Sequence, residues 1–487
     1  MSHSEDFSNL KPEPIWRYFR EICQIPHESK NEEGIIRYVL GVAERLGLSA
    51  ARDPIGNVVV RKPASAGCES YPSVALQSHL DMVCEKNAGT VHDFAQDPIQ
   101  WVRQGNFLMA RGTTLGADNG IGVAAALALM EDRHCPHGPL EMLFTVDEET
   151  GLTGAAGLSG DFLASRILIN LDSEEEGILY VGCAGGRDTC ASWPVLREVV
   201  PGGCRGFLLK VGGLLGGHSG MEIHKSRGNA IKILNRVLLD LLPLGVRIAS
   251  LQGGNKHNAI PREANALLAV PADQTGTVSS KVAAWDRTVR EELASIDSGV
   301  WITLAADDGA ELSSVWDAGI TDKICLALSA VPHGVAKMSA DIRDLVETST
   351  NLATIQTGKD AVKVVTSQRS SVASEIAEMR QTVASVFRLS GAEVSGSKGY
   401  PGWKPNLASP VLNLSIVTYR NLFGREPEIK AVHAGLECGL IGEKFPGMDM
   451  VSFGPTLEGV HSPDEKVHID TVERFWLYLC TVLQNVR

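Results

Sequence analysis

The chain lacks several things that would assign it to a class at once. None of its 10 cysteines falls in a Cys-x-x-Cys pair, so neither a zinc ribbon nor a thioredoxin-type redox site is indicated. The plainly apolar run beside the candidate chemistry, Ile121–Met130, is about half the length needed to cross a bilayer, which argues against a membrane protein. Positive charge is in deficit: 45 Lys and Arg against 58 Asp and Glu give −13, which disfavours a nucleic-acid binder. No short-period repeat or low-complexity tract occurs. Met1–Lys11 is polar and lacks the basic-then-apolar layout of a secretory leader, so the expectation is a cytoplasmic chain with reduced thiols.

What remains is an ordinary globular composition, 44% hydrophobic and 21% charged, on 487 residues, too many for one compact core. Helix-spaced apolar positions run from Ile15 to Leu48 with a break near Pro26. Strand-like runs follow at Asn57–Val60, Ser73–Leu80, Leu140–Val146 and Ile167–Leu171, with a helix from about Ile121 to Asp132. This alternation predicts an α/β fold with at least part of its sheet parallel. From about Arg187 to Ser397 clustered acids and histidines thin out, while strands (Phe207–Val211, Val300–Ala305) alternate with long helices (Asn229–Leu242, Ser371–Leu389). Residues 187–397 thus read as a second domain inserted between residues 1–186 and 398–487, whose helices at Pro410–Asn421 and Val467–Val486 flank a strand at Asp449–Phe453.

Five segments share one layout, a hydrophobic run with potential metal ligands at its end. In Leu76–Asp81, His79 and Asp81 are two apart and face one side of a strand, so one can ligate while the other orients it. Asp118 follows glycines where a helix begins, a place that suits either a bridging carboxylate or a simple helix cap. Asp147, Glu148 and Glu149 end an apolar strand and repel one another, so a cation or strong solvation must offset them. Asp172 repeats the pattern, and Glu174–Glu176 after it read as solvated. His461 lies in a Gly- and Pro-bounded loop beyond a buried strand. Two histidines and three carboxylates suit two divalent ions of intermediate hardness, and thiolate ligands are missing. Glu148 is then free to act as general base.

The strings Arg111–Gly122, Asp172–Gly177, His433–Gly439 and His461–Glu465 are far more discriminating than any of these short motifs. On them, and over essentially the whole chain, the sequence resembles the co-catalytic zinc peptidases of the carboxypeptidase G and aminoacylase type, in particular their bacterial aminoacyl-histidine dipeptidase branch. The resemblance implies a two-domain zinc-exopeptidase fold, with a mixed sheet flanked by helices plus an inserted α+β lid domain. It implies one metal held by His79, Asp118 and Asp172 and another by Asp118, Glu149 and His461. Asp81 would orient His79, and Glu148 would shuttle the proton. Asp147 departs from the commoner residue and is expected near the ligands without being one.

In the inserted segment, Gly216–Gly220 resembles a motif whose histidine, here His218, stabilises the oxyanion formed in peptide attack, an effect of about 3 kcal/mol per donor. A turn merely capped by His218 is the competing reading. Gly253–Pro261 resembles a second motif, in which Asn258 contacts substrate. Arg369 either anchors a terminal carboxylate through its guanidinium fork or is an ordinary surface arginine. The implied activity is metal-dependent hydrolysis of unblocked dipeptides, especially Xaa-His including carnosine, through a water shared by two ions. Zinc is the expected metal, and manganese and cobalt tolerate the same donors. A homodimer is compatible with the resemblance. An N-acyl amino-acid amidase on the same scaffold, a non-catalytic metal-binding relative and a thiol enzyme are the rivals.

Overall fold

The computed structural model describes Phe7, residues 9–307 and residues 312–487. Two compact units emerge. The first holds the described residues up to Gly182 together with Trp403–Ala431 and Leu436–Arg487, and the second holds Cys183–Gly402 and Val432–Gly435. Cys183–Gly186, Lys398–Gly402 and Val432–Gly435 therefore go with the second unit, although sequence alone assigns them to the two parts of the first domain.

The first unit is built on an eight-stranded sheet. Four neighbouring strands, Leu140–Thr145, Val74–His79, Ile167–Asn170 and Asp449–Ser452, run parallel in that spatial order. Val74–His79 and Leu140–Thr145 are buried along their whole length, as strands covered on both faces must be. The register is level: His79 lies opposite Thr145, Gln77 opposite Asn170, and Asn170 opposite Ser452. Four carboxyl ends therefore finish together, where α/β sheets gather ligands.

Helices flank this sheet for legible reasons. The helix Ala117–Glu131 is buried on nearly every side from Asn119 to Met130, which matches its lack of a polar face. Glu13–Ile22 buries Ile15, Trp16, Phe19 and Ile22 at helical spacing. Pro410–Phe423 starts behind Ser409, whose hydroxyl accepts the Leu412 N–H at 3.0 Å, and ends at Gly424 with φ of 67°.

The second unit carries a nine-stranded sheet whose pairings are all antiparallel. Helices Ala230–Leu241, Thr275–Glu292, Ala318–Ala330 and Ala373–Leu389 accompany it. Its core centres on Trp193, Trp316, Phe387 and Leu238, all fully buried. This is the expected α/β chain with an inserted α+β domain. All 10 cysteines are free thiols. Among the described residues no helix is long and apolar enough to cross a membrane.

Candidate active site

The level strand ends bring five distant side chains together in the first unit. His79 closes its strand, and its Nδ1–H donates to the Asp81 carbonyl at 3.0 Å. That bond fixes the tautomer and leaves Nε2 facing Asp118 Oδ1 and Asp172 Oδ1, each at 3.2 Å. His461, in a loop at φ of 61°, turns its Nε2 to Asp118 Oδ2 at 3.2 Å and Glu149 Oε2 at 3.0 Å. The two oxygens of Asp118 thus face two different histidines. This side chain caps nothing: Asp118 and Asn119 are non-helical, and the Asp118 carboxylate pairs with the two imidazoles and with no backbone N–H of the helix that follows.

Donor atoms of His79, Asp118 and Asp172 lie within 4.8 Å of one another, as do those of Asp118, Glu149 and His461. A third such trio is His79, Glu148 and Glu149, which puts Glu148 beside the cluster. The donor set fits divalent ions on two further grounds. Glu149 Oε1 is buried with no hydrogen-bond partner, and Asp172 Oδ1 has only the 3.2 Å approach of His79. The charges also demand compensation. Burial pushes Asp172 up to about 7, His79 opposing and Asp118 and Glu149 adding to it. Burial likewise holds Glu148 well above the usual carboxylate range, and Asp172, Glu437 and Glu149 add to it. Hydrogen bonds to Asp118 and Glu149 lift His461 to about 11. Protons on imidazole here do what a metal cation does better.

Asp81 is fully buried, and its carboxylate reaches further than a single histidine. It accepts the backbone N–H groups of Glu148 and Glu149 at 3.0 and 3.2 Å and the Ser29 hydroxyl at 2.7 Å. Its Oδ1 lies 3.5 Å from His79 Nδ1, whose nearer partner is the Asp81 carbonyl. Asp81 therefore ties the acidic turn to the His79 strand. Asp147, at φ of 50°, accepts the Thr150 and Thr153 hydroxyls and so fixes that turn from behind.

Three residues near the site escape a reading by motif. Glu465 sends its carboxylate into the loop before Asp118 and accepts four backbone N–H groups, from Leu115, Gly116, Ala117 and Asp118, at 2.6–3.3 Å. It joins the Asp118 loop to the loop that carries His461. Glu174 is a correction: burial, reinforced by Asp118 and Asp172, pushes it up to about 8, so it lines the cluster and is not a solvated acid. Glu176 is a second, since it pairs with Tyr419, Arg425 and Arg474. Glu175, exposed, fits the solvated reading. The third missed residue, Glu437, is buried beneath the strand ends. Two close approaches hold the loop in place. Gly116 sits at φ of 72° against Met82, and a Cβ on Gly122 would meet Leu171 O at 2.8 Å.

In the second unit, His218 and Asn258 come together although 40 residues apart in the chain. His218 pairs with Ala259 across a short two-strand ladder, and the Asn258 carbonyl accepts the Ser219 N–H at 2.8 Å. His218 Nδ1 accepts the N–H groups of Met221 and Gly220 at 3.1 and 3.3 Å, so its proton sits on Nε2. Burial and the nearby Arg369 lower its pKa, which keeps the ring a neutral donor. Arg369 is no surface residue. It is 6% exposed, donates to Tyr400 Oη at 2.9 Å, and leaves its buried Nε unpartnered.

A profile of peptidase family M20/M25/M40 matches residues 75–485. The chain is 44% identical over 482 residues to the cytosol non-specific dipeptidase of Escherichia coli, covering 99% of each. The chain belongs to peptidase family M20/M25/M40. Its fold superposes on an aminoacylhistidine dipeptidase from Vibrio alginolyticus with a TM-score of 0.91 at 42% identity, covering 99% and 98% of the two chains. An aminopeptidase PepT from Bacillus cereus shares the fold alone, with a TM-score of 0.58 at 17% identity over 98% and 99% of the chains. As an M20 peptidase the chain is a hydrolase of peptide bonds.

Proposed function

We propose that this M20 peptidase is a metal-dependent dipeptidase that hydrolyses unblocked dipeptides, Xaa-His and carnosine among them. The observation that carries the reading is Asp118, whose two oxygens face His79 and His461 separately. That geometry asks for a carboxylate shared between two cations. In the proposed assignment His79, Asp118 and Asp172 hold one ion, and Asp118, Glu149 and His461 hold the other. When bound, the ions polarise the scissile carbonyl and acidify the attacking water.

The chain's own residues do the rest. Glu148 is held beside the cluster by the Asp81 grip on its backbone, and the proposed assignment gives it no ligand role. Burial raises its proton affinity, so it can take the proton from water and deliver it to the leaving amine. Asp81 and its carbonyl keep His79 in the tautomer that presents Nε2. His218, a neutral Nε2–H donor, stabilises the oxyanion. Arg369, buried with spare N–H capacity, pairs with the terminal carboxylate, and Asn258 contacts the substrate.

Zinc as the metal, the cytoplasm as the compartment and a homodimer as the assembly belong to the same proposal. The cytoplasm is supported by the name of the Escherichia coli relative, zinc by the nitrogen and oxygen donor set, and the homodimer by the family resemblance of the sequence alone. The test is a panel of dipeptides and N-acyl amino acids, assayed as purified, after chelation and after zinc is restored. Free-amine dipeptides should be cleaved and Xaa-His favoured, with activity lost on chelation and regained with zinc. Cleavage confined to N-acyl substrates would make the chain an amidase instead.

A further inference from the structure

Beneath the ligand-bearing strand ends lies a row of buried polar side chains that no ligand role accounts for. Gln77 stands two residues before His79, and Asn170 two before Asp172. Thr145 lies opposite His79. Gln77, Thr145, Asn170 and Ser452 are all at most 1% exposed. The helix Glu437–Lys444 sets the carboxylate of Glu437, also fully buried, onto this row.

The row is continuous. Glu437 Oε2 accepts Gln77 Nε2–H and the Thr145 hydroxyl, each at 2.6 Å. Gln77 Oε1 accepts from Asn170 Nδ2 at 2.5 Å. Asn170 Oδ1 accepts the Ser452 hydroxyl and, at 3.3 Å, the backbone N–H of Asp172 itself. Ser452 and Ser173 hydroxyls meet at 2.6 Å. A ladder of such groups adds little net stability, because apolar side chains of the same shape would fill the space at least as well. It does fix geometry, since a displaced member loses its partner; Glu437 Oε1 is the one oxygen of its carboxylate left unpartnered in the row.

We propose that Glu437 is a positioning residue for the ligand cluster. It acts through Gln77 on the His79 strand, through Thr145 on the strand that delivers Glu148 and Glu149, and through Gln77 and Asn170 on Asp172. This rests on the metal-centre reading above. An amide of equal shape keeps an acceptor oxygen where Oε2 meets Gln77 and Thr145, so Glu437→Gln can preserve both bonds.

Zinc titration calorimetry on the full metal-stripped chain tests it, alongside thermal unfolding to confirm folding. Glu437→Ala should weaken zinc affinity about tenfold or more, the usual size for groups that orient ligands. Thr145→Val, which removes one donor and keeps the shape, should weaken it about threefold. Glu437→Gln, which keeps an acceptor oxygen, should return to within about threefold of the parent chain. KM for a dipeptide at saturating zinc should stay unchanged in all three. Wild-type zinc affinity in Glu437→Ala overturns the proposal, as does a folded Glu437→Gln as weak as the alanine variant. If Glu437→Ala fails to fold, an unchanged affinity in Thr145→Val overturns it. A parent chain that binds no zinc removes the metal-centre reading itself, a different result from normal parental binding that the Glu437 variants leave untouched.

Discussion

The two units hold their reactive groups in opposite electrostatic debt. In the first, four parallel strands end level and crowd Asp118, Glu148, Glu149 and Asp172 around two imidazoles, leaving positive charge wanting. In the second, an antiparallel sheet carries one buried guanidinium, Arg369, with an unpartnered Nε and no carboxylate ion pair among the described residues. One site asks for cations and the other for an anion. The difference follows from topology: parallel strands concentrate their ends on one edge, whereas antiparallel ones scatter theirs.

Substitutions on each side can break or sharpen that contrast. The largest effect is expected at Glu148, because the proposed mechanism has it move the proton. Glu148→Ala should retain its metal content and lose about 1,000-fold in kcat, within the range for general acid–base groups. Near-normal turnover would remove Glu148 from the mechanism. His218→Ala should come next, with kcat down about 100-fold and metal content untouched. A change confined to KM would mean that His218 only binds substrate. Arg369→Met should act on the other side of the contrast, raising KM about tenfold or more for dipeptides with little change in kcat, as loss of a charged hydrogen bond would. An Arg369 effect that is the same for dipeptides and for their C-terminal amides would deny it the carboxylate.

The sequence foretold the cation-seeking side better than the anion-seeking one. His79, Glu149 and Asp172 were legible because each lies at the end of a hydrophobic strand, and strand ends converge in a parallel sheet, whereas Asp118 and His461 stood out in glycine-bounded loops. Whether Asp118 capped its helix was open until the structure showed both its carboxylate oxygens turned to His79 and His461. Glu465 and Glu437 stand in the strings His461–Glu465 and His433–Gly439, but what they do was hidden because their partners lie about 350 residues away. Glu174 was misread because a run of acids usually faces water, and only the fold shows which of the three turns inward. Arg369 was undecided for a related reason. It lies on Ala361–Ser370, where Thr366, Ser367, Gln368 and Ser370 are also buried, so polarity there did not report exposure.

The central claim is that five side chains cage a pair of cations around the shared Asp118 carboxylate. Counting and locating zinc by anomalous scattering from crystals of the reconstituted chain tests it most directly. The account predicts two ions, one at His79, Asp118 and Asp172 and one at Asp118, Glu149 and His461, with the second lost in His461→Ala. A single ion, ions elsewhere, or a second ion that survives His461→Ala would contradict it.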